Sequence, residues 1–109
     1  MINISIVTDK SGFVWGFEIN GHAGYDEYGK DIVCAAVSAL AYTAVGAISE
    51  MTKIVSYSQK DGYMKCTVPN NISGDAKNTV KIILDTIVIG FRQIELSYKG
   101  YVKVIIKEV

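Results

Sequence analysis

From Ile32 to Ile48 the chain reads IVCAAVSALAYTAVGAI, without one charged side chain. Such a run becomes either a membrane span or a helix covered by protein. It stands at the short limit for crossing a bilayer, and its many alanines, with Ser38, Thr43 and Gly46, keep its transfer energy into lipid weak. We therefore expect a protein-buried helix over about 32–51, apolar almost all round, lying between a sheet and a second layer, either another helix or a partner subunit. Ala35, Ala36, Ala39, Ala44 and Ala47 would let that layer approach closely.

Asp31 stands just before this run, where an N-cap is needed, because its carboxylate can accept backbone N–H groups left without partners in the first turn. Cys34 then falls in that first turn. A thiol there meets the positive end of the helix dipole, which favours the nucleophilic thiolate, and the same N–H groups are expected to receive an oxyanion forming on a substrate carbonyl.

The preceding loop, from Gly21 to Lys30, combines three glycines, Gly21, Gly24 and Gly29, with Tyr25 and Tyr28. That mixture gives a mobile backbone carrying amphipathic side chains, either a lid over a bound peptide or a series of simple turns. His22, the chain's one histidine, opens it. If the loop folds back over the helix start, His22 supplies a cation beside the thiolate and a proton for a departing amine. Read from the residues alone, a plainer account stands beside this one: His22 as a hydrogen-bonded surface group and Cys34 as a small core side chain. Asp31 either only caps the helix or also orients His22, and Ser38, one turn beyond Cys34, either bonds near the thiol or back-bonds to the Cys34 carbonyl.

The run Gly21-His22-Ala23-Gly24-Tyr25, followed by Gly29-Lys30-Asp31-Ile32-Val33-Cys34-Ala35-Ala36-Val37-Ser38, resembles the signature of the ribosomal-processing cysteine proteases, the Prp family of small bacterial proteins. The likeness extends over nearly the whole chain in length and element order, and its specificity lies in this block. It implies an endopeptidase, acting as a homodimer, that removes a short N-terminal extension from the precursor of a large-subunit ribosomal protein. It also implies Cys34 as nucleophile, His22 as acid and base, and aromatic substrate residues near the cut. Tyr25, Tyr28 and Trp15 are expected to offer apolar walls for such side chains.

Lys plus Arg and Asp plus Glu number 11 each, so the whole-chain charge gives no reason to bind nucleic acid or an anionic membrane. MINISIVTDKSG has no signal-peptide pattern, and we expect a cytoplasmic protein. Cys34 and Cys66 are too far apart for a CxxC pair, and one histidine at no metal-ligand spacing argues against zinc, so no cofactor or metal is expected.

Around the site, alternating residues predict strands at 2–8 and 13–20, with Ile2, Ile4 and Ile6 on one face and Phe13, Trp15, Phe17 and Ile19 on one face. A second hairpin over 53–59 and 62–69 should bury Met64, Cys66 and Val68, leaving Cys66 an inert thiol. Val80, Ile83, Leu84, Ile87, Val88, Phe91, Ile94 and Tyr98 mark a long helix, capped by Ser73 to Asp75 and ended by Gly100, before a strand over 101–108. The expected fold is a single α+β domain over 1–109, β-β-α-β-β-α-β, with a largely antiparallel sheet packed with two helices. Two other classes of function stay open: a non-catalytic ribosome-associated binding module whose loop grips RNA or protein, and a thiol-redox or persulfide carrier.

Overall fold

The computed structural model describes residues 1–54 and 57–109. Strands Ile2–Thr8 (β1) and Val14–Asn20 (β2) pair antiparallel, with Ile4 opposite Ile19 and Ile6 opposite Phe17. Their turn is fastened by the Asp9 carboxylate, which accepts the Ser11 and Phe13 backbone N–H groups, the Ser11 hydroxyl and the Trp15 indole N–H.

The register slips between Val7 and Thr8: Val7 faces Gly16 and Thr8 faces Val14, so that Trp15 has no opposite residue on β1. This bulge moves the side-chain alternation by one residue. Of the four residues expected on the core face, only Phe17 and Ile19 are fully buried there. Val14 takes the place expected of Trp15, while Phe13 and Trp15 stack on each other at the core's margin, ring centroids 4.5 Å apart.

Tyr57–Lys60 (β3) and Tyr63–Thr67 (β4) form the second hairpin around Asp61-Gly62, and Val102–Glu108 (β5) runs parallel to β1. The sheet order is β3-β4-β2-β1-β5, antiparallel except for the β1–β5 pair. Met64, Cys66 and Val68 face the core as expected. The strand expected from residue 53 starts later, because Lys53 is still the left-handed C-cap of the preceding helix, at φ 67; residues 55 and 56 of that expectation lie outside the described residues.

Helix α1, Ile32–Thr52, and helix α2, Gly74–Ser97, pack against the sheet and against each other. Val80, Leu84, Ile87 and Phe91 of α2 are buried at three- and four-residue spacing, and Phe91 meets Phe17 of the sheet edge-on at 5.4 Å. Each such side chain contributes about 1.5–3 kcal/mol on burial. A Cβ at Gly90 would lie 2.8 Å from Leu40 Cδ1, so the absence of a side chain there lets the helices close together. Ser73 is the N-cap residue of α2 but makes no side-chain cap bond; Asp75 supplies negative charge to the first turn instead. Gly100, at φ 89, turns the chain toward β5.

Within this chain helix α1 is covered through Val33, Val37, Ala41, Ala44, Val45 and Ile48. Ile32, Ala35, Ala39, Tyr42 and Met51 face outward, so of the small residues expected to admit a close neighbour, Ala35 and Ala39 meet none within the chain's core. The C-terminal end of β2 lies beside the β3–β4 turn, with Asn20 opposite Tyr63 and the Gly21 N–H donating to the Gly62 carbonyl at 2.9 Å. That junction delivers the loop carrying His22.

Candidate active site

Asp31 organises the site. Its Oδ1 accepts the N–H groups of Val33 (2.9 Å) and Cys34 (3.0 Å), capping α1, while its Oδ2 accepts those of Tyr25 (2.9 Å) and Asp26 (3.3 Å). One buried carboxylate therefore ties the helix start to the loop before it. Burial pushes the carboxyl up, but the four N–H donors from Cys34, Asp26, Tyr25 and Val33 outweigh it and hold the group below its ordinary value. All four partners are backbone groups, so the carboxylate positions the loop and does not bond the imidazole.

This arrangement occupies two of the amides expected to receive an oxyanion. The first-turn amides of Val33 and Cys34 are engaged by Asp31 Oδ1, and the Ala35 N–H by the Asp31 carbonyl at 3.0 Å. The sulfur of Cys34, half-buried, instead accepts a donor from the loop: the Ala23 N–H, at 3.4 Å. The loop does fold back over the helix start.

His22 stands one residue before that donor, exposed, with its ring over the β3–β4 turn. Its Nε2 is 3.1 Å from where a Cβ on Gly62 would sit. Among the described residues no hydrogen bond joins His22 to Cys34. Both side chains nevertheless line one cavity of about 620 Å³, walled by the loop, the first turns of α1 and the β3–β4 hairpin. Asp31 and Ser38 line it too, as do Gly21, Gly24, Gly29 and Tyr28 of the loop.

Two of the expected aromatic walls lie elsewhere. Tyr25 is held edge-on between Tyr98 (5.6 Å) and Tyr101 (5.1 Å), where it anchors the loop and does not line the cavity. Trp15 donates its indole N–H to Asp9 Oδ2 at 2.9 Å and shares the Lys77 ammonium with Phe13. Of the three expected walls, Tyr28, almost fully exposed, stands at the cavity.

The opposite wall comes from residues that the sequence assigned to the second hairpin and not to the site: Gln59, Lys60, Asp61, Gly62, Tyr63 and Met64. Tyr63 donates its hydroxyl to Glu18 Oε1 at 3.0 Å; burial, with that carboxylate, pushes the phenol's ionisation up and keeps it neutral. The Asp61-Gly62 pair marks a hairpin turn in sequence, but nothing local says that this turn abuts the histidine loop. That follows from the β2–β4 register.

A family model described as cysteine protease Prp matches residues 1–103. The ribosomal processing cysteine protease Prp of Bacillus subtilis (strain 168) is 26% identical over 107 residues, covering 95% of this chain and 96% of that protein. The crystal structure of an essential ribosomal processing protease Prp from S. aureus, in complex with a covalently linked product peptide, superposes with a TM-score of 0.85 at 31% identity, covering 98% of this chain and 100% of that one. The S. aureus protease with a substrate peptide gives a TM-score of 0.80 at 29% identity, with the same coverage of 98% and 100%.

Proposed function

The chain belongs to the Prp cysteine protease family, and from that premise we propose that it is the endopeptidase that cuts an N-terminal extension from the precursor of a large-subunit ribosomal protein, using Cys34 and His22. The Ala23 N–H directed at the Cys34 sulfur carries this reading, because it brings the residue next to His22 onto the thiol at a cavity that can take an extended peptide.

In this mechanism the Cys34 thiolate attacks the scissile carbonyl carbon, and the C–N bond breaks as the His22 imidazolium gives its proton to the leaving amine. Water then attacks the thioester, giving up a proton to the now neutral His22. The C–S bond breaks, the acid product leaves and the thiolate returns. With the Val33 and Cys34 amides engaged by Asp31, the Ala23 N–H is a donor placed to take the oxyanion as the sulfur gives up its negative charge. His22 starts the loop that crosses the sulfur, and its ring lines the same cavity as the thiol. Ser38, one helical turn beyond Cys34, lines the same cavity.

The working unit we propose is a cytoplasmic homodimer of single-domain subunits, with a protein substrate and no nucleic-acid or membrane partner. Ile82, Ile89 and Leu96 form an exposed apolar stripe at seven-residue spacing on α2, and Ile32, Tyr42 and Met51 are exposed on α1, which gives a second copy apolar surface to cover.

The deciding experiment incubates the purified chain, and Cys34→Ala, with its own species' ribosomal-protein precursor and follows the mass of the product. The wild type should release one N-terminal fragment and the variant none. Equal persistence of the intact precursor in both would end the protease reading.

A further inference from the structure

We propose that Gly62, on the hairpin across the cavity, is a positioning residue for His22. The inference rests on the reading that His22 acts in catalysis. A side chain begun at Gly62 would place its Cβ 3.1 Å from Nε2, 3.7 Å from Cδ2 and 3.8 Å from Cε1, so the imidazole lies directly against the position that glycine leaves empty. The closest of these is tighter than ordinary van der Waals contact, and the atom it meets is a ring nitrogen.

The same residue fixes the backbone that carries the ring. Its carbonyl accepts the Gly21 N–H at 2.9 Å, one residue before His22, and Asn20 pairs with Tyr63 immediately beside it. Gly21 also lies close to the Met1 backbone, where a Cβ would meet the carbonyl oxygen at 2.5 Å. The strand end is thus clamped, and the turn at Gly62 forms the seat on which the imidazole rests. Gly24 and Gly29 differ: nothing lies within 4 Å of a Cβ at either, so those positions ask only for a left-handed backbone.

A side chain at position 62 therefore displaces the imidazole without touching the thiol. A Cβ at 3.1 Å obliges the ring to give by a few tenths of an ångström; since a misplacement of about 1 Å costs roughly 100-fold in rate, kcat should fall about 3- to 10-fold while KM stays within about twofold.

Gly62→Asn is the test, because asparagine tolerates the left-handed φ of 69 and still adds a Cβ against the ring. Gly12→Asn, in the β1–β2 turn at φ 86 with nothing within 4 Å, is the control. Gly62→Asn should lower kcat as stated and move the Cε1–H resonance of the single histidine, and Gly12→Asn should change neither. D-alanine at position 62, introduced by ligation, suits a positive φ and puts its methyl on the other side of the Cα from the ring. It should keep the wild-type kcat even if Gly62→Asn lowers stability. A wild-type kcat with an unmoved resonance in Gly62→Asn, or a D-alanine protein as impaired as Gly62→Asn, overturns the proposal. His22→Ala separates the two levels: full activity in that variant removes the catalytic reading itself, whereas an inactive His22→Ala beside a fully active Gly62→Asn removes only the role of Gly62.

Discussion

The backbone N–H of Ala23 points at the sulfur of Cys34 from 3.4 Å, although eleven residues separate the two in the chain. This contact exists because Asp31 holds both the helix start and the loop, leaving the residues between His22 and Tyr25 no course except across the thiol. Site and loop are one construction.

Replacing Asp31 should separate its two tasks. Asparagine keeps a carbonyl oxygen for Val33 and Cys34 but turns an NH₂ toward the Tyr25 and Asp26 donors. Asp31→Asn should therefore keep α1 while speeding amide hydrogen exchange at Tyr25 and Asp26, with kcat/KM down about tenfold as the loop loosens over the thiol. Asp31→Ala loses the cap as well and should cost about 1–2 kcal/mol more in a urea melt. Unchanged exchange at those two amides in Asp31→Asn would contradict the role given to Oδ2.

Acid should reach the turn around Asp9 late. Hydrogen bonds from the Ser11 hydroxyl and the Trp15 indole, outweighing burial, lower that carboxyl from the ordinary 3.8 to about 2. Because the folded-state value is depressed, the unfolded chain takes up its proton first as pH falls. The contribution to stability is whole above about pH 4, declines below it, and is gone once pH has dropped through about 2. The indole N–H resonance of Trp15, the chain's one tryptophan, should hold steady from pH 7 to about 3 and move only near 2. A midpoint near 3.8 would show that the bond to Asp9 is not kept in solution.

Gly16 should admit no side chain. A Cβ there would lie 2.0 Å from the Cys66 carbonyl oxygen, a backbone atom inside the β2–β4 pairing that cannot step aside without opening the ladder. Gly16→Ala should destabilise by more than about 3 kcal/mol in denaturant titration. Gly46→Ala, on an open face of α1, should be neutral or slightly stabilising, by up to about 1 kcal/mol.

The two thiols should alkylate very differently. Cys34 is half-buried at the cavity, while Cys66 is sealed in the core opposite Phe17. Iodoacetamide under native conditions should modify Cys34 at least about 100-fold faster, with Cys66 reacting only through opening of the sheet. Comparable rates, read by peptide mass, would remove Cys34 from its privileged position.

Much of this molecule is written locally. An uncharged apolar run after an aspartate makes a capped helix with a cysteine in its first turn, and alternation over 2–8 and 63–68 gives strands with one buried face, because helix caps and side-chain periodicity act within a few residues. The signature from Gly21 to Ser38 carried the family for the same reason. What the sequence could not determine are the relations between distant segments. The bulge that put Val14 where Trp15 was expected is set by strand register, and Tyr25 left the cavity because Tyr98 and Tyr101 are brought beside it by the end of α2. Likewise, Asp31 took the first-turn amides expected to meet an oxyanion, and a turn forty residues from His22 became its seat. Those outcomes come from long-range pairing, which closes only when the whole sheet and both helices are in place.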